Sequence, residues 1–575
     1  MAGIFGSFGH VDKKTLVRMS AALAPRGIKE SLASGALAAV GQRLPHFKHF
    51  PTVLTKNGEQ VLVAFDGDLF NKAELIELAR SAGHAPNSDD DTAIVLSLYR
   101  AFGTDFPRYI EGNFALAIAE GSSLYLARDT LGVRPLFYHN GGESLFFASE
   151  MKAILPHTPL VDIDRESLHE RFVFRDHLVG DSTYFTGIKH VPAGGHVVAT
   201  TRDNGIALEI GAYGASEKVL PTDESELREL LSKTVARNVN HYVHSGGSVG
   251  VLLSGGFDSS VLLALAKVAG AADLKTFTLS DDALFPDVTA ARSVARHAGT
   301  RHEEIIINTA ASCEDVVDSI FTYEDPIVRN TIYKLAQSVA GKVDIAMSGA
   351  GADLLGMPLL ARRKVFGSVR RRVEQLPEGG GDRVCAYTQT MPKSPENIDA
   401  WAFKHFIEDY LPQQLFPSTE RALMRFGIEP AFPFADQAIL AIARALPRSQ
   451  KYDANEEKPF LRETFRSLDL PVDIHVREKL CSKENLKATK RNISRLAGET
   501  ISDAYVAAHP YRDLLERNKY IIMHFDIFKR MFVNQRGARS DGSFARAMFE
   551  ASPWRYMLRG YFTPLSFRRL FGKHE

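Results

Sequence analysis

The stretch Val249-Gly250-Val251-Leu252-Leu253-Ser254-Gly255-Gly256-Phe257-Asp258-Ser259-Ser260-Val261-Leu262-Leu263 constrains the fold more than any other part of the chain. A short apolar run reads as a buried parallel strand. A Ser/Gly/Asp turn follows, and an apolar, Ala-rich helix is expected over 261–269. The glycines allow the backbone to approach an anion closely. The start of the helix aims unpaired N–H groups and a positive dipole end at the same place. Ser254, Ser259 and Ser260 add hydroxyl donors. Asp258 is acidic and is not expected to face a phosphate alone; a Mg²⁺ ion between the two removes the conflict.

The turn lacks the Lys-Ser/Thr pair of a Walker loop. Ser-Gly-Gly-x-Asp-Ser resembles instead the pyrophosphate loop of enzymes that split ATP between its α and β phosphates. Such enzymes adenylate a carbonyl or carboxyl oxygen and release pyrophosphate. On that likeness Ser254, Gly255, Gly256, Ser259 and Ser260 cradle the β,γ-pyrophosphate. Downstream, strand patterns at 274–279, 302–307 and 343–347 alternate with helical patterns at 287–298, 312–323 and 331–340. This predicts a doubly wound parallel sheet with ligands at the carboxyl ends of its strands. Ser348-Gly349-Ala350-Gly351-Ala352-Asp353 leaves the last of these strands and is expected to face the first turn. Asp353 either holds Mg²⁺ with Asp258 or caps a helix.

At 575 residues, two domains or more are expected. The formal net charge is zero, so no global field recruits nucleic acid or a membrane. Cys313, Cys385 and Cys481 show no metal or disulfide spacing, which fits a reducing cytoplasm. No signal-peptide pattern and no membrane-length apolar run are present.

In the first 200 residues, short strands with turns alternate with helices expected near 12–24, 71–82 and 91–102, a layered α+β pattern. The motifs are Gly3-Ile4-Phe5-Gly6, Gly41-Gln42-Arg43-Leu44, Phe65-Asp66-Gly67-Asp68-Leu69-Phe70-Asn71, Arg128-Asp129-Thr130-Leu131-Gly132-Val133-Arg134-Pro135 and Phe147-Ala148-Ser149-Glu150. The series resembles the glutaminase domain of the asparagine synthetase family, which implies an Ntn-hydrolase-like αββα sandwich over residues 1–215. The family's nucleophilic cysteine falls at Ala2, and no cysteine occurs before Cys313. Alanine offers no nucleophile. The family's Asn-Gly-Glu appears as Asp66-Gly67-Asp68, and its Arg-Gly-Pro-Asp as Arg26-Gly27-Ile28-Lys29. The domain therefore reads as a catalytically degenerate remnant, structural or partner-docking.

Residues 216–575 resemble the family's ATP-binding synthetase half, a PP-loop fold of the adenine nucleotide α-hydrolase type. The resemblance implies that Leu253, Ser254, Leu279, Ser348 and Gly349 line the AMP part of ATP, and that Asp258 and Asp353 bind Mg²⁺. Glu457-Lys458-Pro459-Phe460-Leu461-Arg462-Glu463 matches the family's lysine-bearing helix, which places Lys458 at the α-phosphate and the acyl carbon. A fixed cation there stabilises charge that grows in the transition state. Glu429-Pro430-Ala431-Phe432-Pro433-Phe434-Ala435-Asp436 is similar to the family's Glu-x-Arg-x-Pro-Phe-Leu-Asp, with its arginine at Ala431.

The departures lie on the acceptor side. The family's glutamate in the second turn falls at Ala350, its next acid at Leu354, and its Phe-Gly-Gly-Tyr at Gly356-Met357-Pro358-Leu359. An intact ATP half with a rebuilt acceptor half resembles the lasso peptide cyclases. That resemblance implies a macrolactam synthetase acting on an Asp or Glu side chain of a precursor peptide, with a leader peptidase and a leader-recognition protein as partners. An ammonia-using asparagine synthetase paralogue, a small-molecule amide or β-lactam-type synthetase and a non-catalytic ATP-binding scaffold are the alternatives. Glu324, Glu429 or water is left to accept the amine proton. A helical insertion is expected over about 361–420, with Arg362-Arg363-Lys364 and Arg370-Arg371-Arg372 on either a solvated face or a partner-holding wall. The basic, aromatic tail from Arg530, with Trp554 and Tyr561, is expected to pack on the sheet rather than to bind a membrane or nucleic acid.

Overall fold

The computed structural model describes residues 3–10, 12–46, 53–56, 59–158, 161–175, 177–214, 219–307, 313–326, 330–356, 359–376, 380–392, 397–452, 457–477, 494–495, 497–499 and 501–533. Ala2, Met357, Pro358, Cys481, the expected boundary near 215 and nearly all of the basic tail lie outside them.

The first half holds two six-stranded sheets. Period-two alternation sets their layering. In the strand Glu59–Leu69, Leu62 and Ala64 face Ile4, Phe8, Val40 and Phe147 of the other sheet. Val61, Val63 and Phe65 face outward, onto Leu75 and Ala79 of the helix Lys72–Ser81 and onto Ile94, Val95 and Leu98 of the helix Asp91–Phe102. On the far side, Leu16 and Met19 of the helix Lys13–Ala22 pack on Phe5, Ala39 and Phe137. The result is the expected αββα sandwich.

The second half is built on a parallel five-stranded sheet. Its strands run in the spatial order Arg301–Ile306, Lys275–Ser280, Val249–Leu252, Ile345–Met347, Glu429–Ala431. The chain starts in the middle strand, builds outward on one side, then returns to build on the other. The switch point therefore lies between Val249–Leu252 and Ile345–Met347, where such sheets bind ligands. The two Gly-rich turns leave these same two strands. The strand Glu429–Ala431 had no counterpart in the periodicity reading; its Pro430 is tolerated because it lies on the sheet edge.

Between the last two strands lie the helices Leu359–Glu374, Asp382–Gln389, Ile398–His405 and Phe416–Arg425, with a wide-turn helical segment at Phe406–Leu415. Pro412 sits inside that segment and supplies no N–H. Its carbonyl accepts from Arg128 Nη2 of the first half at 3.2 Å. The helix Lys519–Phe532 packs back on the first half, where Phe528 stacks on Phe185 with centroids 5.3 Å apart. Among the described residues, no helix is long and apolar enough to cross a membrane.

Candidate active site

The helix after the first turn begins at Phe257 and runs to Val268, four residues earlier than its periodicity suggests. Asp258, Ser259 and Ser260 thus sit in its first turn rather than in a loop. The Ser254 N–H donates to Ser259 Oγ at 3.2 Å, and the two hydroxyls lie 3.1 Å apart. Ser260 is fully buried and donates to the Gly256 carbonyl at 2.9 Å, so its hydroxyl shapes the turn from beneath. Gly255 has φ +75°, and a Cβ there would fall 2.3 Å from the Asp287 carbonyl. Only glycine meets both demands.

The AMP-side expectations fall at the carboxyl ends of three adjacent strands. Leu253 extends the central strand; its N–H donates to Phe277 at 2.9 Å, and its carbonyl accepts from Thr278 Oγ1. Leu279 lies in that neighbouring strand. Ser348 and Gly349 leave the strand on the other side, with the Ser348 N–H donating to Ala431 at 2.9 Å. Gly349 lies against Asp258: a Cβ on it would be 3.1 Å from Asp258 Cβ. The two turns therefore abut, and Asp353 follows within one short helical turn, Ala352–Leu355.

Lys458 closes the arrangement. Its Nζ lies 2.7 Å from Asp258 Oδ2 and 2.7 Å from Asp353 Oδ1. The lysine side chain is 5% exposed, against 16% for Asp258 and 25% for Asp353. Three side chains from positions 258, 353 and 458 thus form one cluster at the switch point, two half-buried carboxylates on one buried ammonium. Lys458 is not inside a helix. It precedes the helix Pro459–Thr464 and has left-handed backbone angles, φ +59° and ψ +50°. For a side-chain-bearing residue this costs about 1–3 kcal/mol and persists only where its surroundings enforce it.

Two arginines without an assigned role from sequence help to hold this site. Arg462 lies one turn after Lys458 and donates to the carbonyls of Glu457 at 2.8 Å, His475 at 2.6 Å and Arg477 at 2.7 Å. It also lies over the Phe257 ring, 5.0 Å from its centroid. Arg477 donates to Asp287 Oδ1 at 2.8 Å, and Asp287 is the residue that Gly255 presses against.

The acceptor-side departures have structural answers. Leu354 is fully buried in the apolar core, where the resemblance placed an acid. Ala350 is half-buried and packs on the same core. The space released at Gly356 is filled: a Cβ there would lie 2.1 Å from Lys458 Cγ. The substitutions therefore open no free volume at Gly356 for a bulky substrate. Glu324 accepts from the N–H groups of Met151 at 3.0 Å and Lys152 at 2.5 Å, which ties it to the first half. Glu429 lies 3.5 Å from Arg134 Nη2. Both candidate proton acceptors thus serve the contact between the two halves.

That contact also occupies the glutaminase-like motifs. Arg26 is fully buried and meets Glu150 at 2.5 Å and Glu420 at 2.6 and 3.0 Å. Asp68 accepts from Arg134 at 2.5 Å and from the Tyr242 hydroxyl at 3.3 Å. Burial pushes the Asp66 carboxyl up to about 6, against the pull of Arg134 and Arg26. Among the described residues, no group of three or more His, Cys, Asp or Glu side chains is placed to hold a metal.

Fold and site together define an ATP-binding PP-loop domain joined to a glutaminase-like sandwich. The family model for asparagine synthase matches residues 226–556, and that for the glutamine amidotransferase domain matches residues 1–209. Glutamine-hydrolyzing asparagine synthetase 1 of Bacillus subtilis (strain 168) is 28% identical over 545 residues, which cover 82% of this chain and 85% of its own. Asparagine synthetase B of Escherichia coli (strain K12) is 24% identical, covering 82% of this chain and 79% of its own. Among solved structures, the allosteric regulatory enzyme of purine biosynthesis is 13% identical and superposes over 64% of this chain and 78% of its own with a TM-score of 0.28, too low to add to the family match.

The chain belongs to the asparagine synthase family, and it is an ATP-dependent, amide-bond-forming ligase of that type. This corrects the expectation of a lasso peptide macrolactam synthetase. The curated relatives that match four-fifths of the chain are asparagine synthetases. The expectation of a peptide substrate rested on the rebuilt acceptor side, and a missing side chain there names no occupant. At Gly356 the occupant is Lys458.

Proposed function

We propose that this enzyme adenylates a small carboxylate substrate, aspartate by analogy with the named relatives, and passes the acyl group to ammonia. A carboxylate oxygen attacks the α-phosphorus of ATP, and the bond to the bridging oxygen breaks to release pyrophosphate. The nitrogen lone pair then attacks the acyl carbon, the bond to AMP breaks, and the nitrogen loses a proton to solvent. The observation that carries the reading is Lys458 Nζ at 2.7 Å from both Asp258 and Asp353, at the junction of the two turns.

Lys458 is the cation for charge that builds at the α-phosphate and the acyl oxygen, and such preorganised donors contribute several kcal/mol. In the resting site two carboxylates share the Lys458 ammonium, and a polyphosphate would bring further negative charge against them. The oxygen donors of Asp258 and Asp353 suit a hard cation, and Mg²⁺ fits them with its remaining ligands from phosphate and water. Bound there, Mg²⁺ supplies charge neutralisation of the phosphates. The protein's own part is to hold both carboxylates converged and to keep Lys458 beside them.

Ammonia is the nitrogen source in this reading because position 2 carries alanine and the chain has no cysteine before Cys313. The relatives named above are glutamine-hydrolyzing; here that route has no nucleophile. The test is to incubate the full chain with Mg·ATP, aspartate and either ammonium or glutamine, and to quantify AMP, pyrophosphate and asparagine. Stoichiometric AMP and asparagine with ammonium are expected, and none above background with glutamine. A panel of other small carboxylates extends the test. No AMP with any of them overturns the adenylation reading, and glutamine matching ammonium overturns the nitrogen source.

A further inference from the structure

The turn that carries Asp353 ends at Gly356, whose N–H donates to the Asp353 carbonyl at 3.4 Å. Lys458 crosses directly over that glycine. A Cβ at 356 would fall 2.1 Å from Lys458 Cγ, 2.7 Å from its Cβ and 2.8 Å from its Cα. The tip of a long side chain could swing away from such a clash. These are the atoms at the root of the lysine, and the root is fixed.

Three observations fix it. The Lys458 N–H donates to the Lys451 carbonyl at 3.3 Å, and its own carbonyl accepts from Arg462 N at 3.0 Å. Phe460 and Leu461, which follow directly, are fully buried. The left-handed backbone at 458 precedes a proline, a pairing that few conformations allow. Lys458 therefore cannot retreat without unseating the helix behind it, and residue 356 cannot grow without displacing Lys458.

We infer that Gly356 is a positioning residue for adenylation. It seats the aliphatic stem of Lys458 and so fixes where the ammonium stands relative to Asp258 and Asp353. Because the glycine closes the turn that bears Asp353, one residue sets the register of both partners. The functional part of the inference rests on the adenylation reading above; the contact itself does not.

The experiment uses the full chain with Gly356→Ala, Gly356→Phe, Lys458→Gly and the double variant Gly356→Ala/Lys458→Gly. In carboxylate-dependent ATP–pyrophosphate exchange, Gly356→Ala lowers kcat ~100-fold, the scale of an ångström-level misplacement. KM for ATP stays near wild type, because Ser254 to Ser260 are untouched. Gly356→Phe abolishes exchange. In thermal unfolding, Gly356→Ala lowers the melting temperature in the wild-type background. It lowers it less beside Lys458→Gly, where the two closest clashing atoms, Cβ and Cγ, are gone, only Cα at 2.8 Å remains, and a positive φ suits the residue. Wild-type kcat in Gly356→Ala, or equal melting losses in both backgrounds, overturns the inference. If the wild-type protein exchanges pyrophosphate with no carboxylate, the functional reading fails on its own, and the melting cycle still upholds or overturns the seat.

Discussion

Arg26 and Glu420 are 394 positions apart in the chain, yet the guanidinium of one grips the carboxylate of the other with two hydrogen bonds, at 2.6 and 3.0 Å. Arg26 belongs to the glutaminase-like sandwich, Glu420 to the helix Phe416–Arg425 inside the synthetase half. Both are fully buried. Burial works against the arginine's charge, and Glu420, Glu150 and Asp66 together hold it protonated. Arg26 of the glutaminase-like sandwich thus fastens the two halves together.

Removing one side of a buried ion pair is far worse than removing both, because a charge is left without compensation. Arg26→Ala leaves Glu420 without its guanidinium, while Glu150 keeps the Lys152 ammonium, and should cost about 3–5 kcal/mol. Glu420→Gln should cost less, since Arg26 keeps Glu150 at 2.5 Å. Thermal unfolding of the two variants checks the order. A smaller loss for Arg26→Ala than for Glu420→Gln would show that the pair is not the fastening.

Lys458→Ala should lower the exchange rate ~10²–10³-fold, the usual cost of one preorganised electrostatic donor. It should also change how the free protein responds to magnesium. Without the ammonium, Asp258 and Asp353 lose the cation they share, and a divalent ion gains the pair as ligands. Millimolar Mg²⁺ without nucleotide should therefore raise the melting temperature of Lys458→Ala more than that of the wild-type protein. Equal shifts would argue that the ion and the lysine use different oxygens.

Gly255→Ala tests the first turn independently of the lysine. The native φ of +75° and the 2.3 Å approach to the Asp287 carbonyl both oppose a methyl group. Strain of about 1–3 kcal/mol is expected from the backbone angle alone. The protein should melt lower and lose its stabilisation by ATP, measured as the shift in melting temperature with and without nucleotide. A full ATP-induced shift in this variant would place the nucleotide elsewhere.

Much of this architecture was legible in the sequence, and the misses have physical causes. The helices over 72–81 and 91–102 follow the apolar 3.6-residue rhythm. The strands Lys275–Ser280 and Arg301–Ile306 were placed within a residue. The helix Phe257–Val268 was set four residues late because Asp258, Ser259 and Ser260 read as turn residues. At a helix start those types are favoured as well, so composition cannot separate the two. The strand Glu429–Ala431 is three residues long and contains proline, too short for any period to show. Asp258, Asp353 and Lys458 could be named one by one, but their convergence on a single ammonium is tertiary. The seat at Gly356 had the same limit: a sequence shows that a side chain is missing, not what fills its place.

His524 carries the pH dependence that is easiest to isolate. It is fully buried on the helix Lys519–Phe532, with Nδ1 2.8 Å from the Tyr520 carbonyl. Burial pushes its pKa down to about 4, against a small raising effect of that hydrogen bond. Below about pH 6.5, the ordinary value for a histidine, the unfolded chain takes up a proton that the folded ring refuses until about pH 4. This group therefore weakens the fold progressively as pH falls from 6.5 to 4 and has no such effect above that window. Other buried groups oppose it; Asp66, pushed up to about 6, gains its proton in the folded state first and favours the fold over part of the same range. The comparison must therefore be between variants, not between pH values in one protein. His524→Leu removes the proton uptake and keeps an apolar side chain beside the Tyr520 ring. Its melting temperature relative to wild type should rise steadily as the buffer is taken from pH 7 to pH 5. A difference that stays constant across that range would mean that the ring takes up its proton equally in the folded and unfolded chains, so that burial does not hold it neutral.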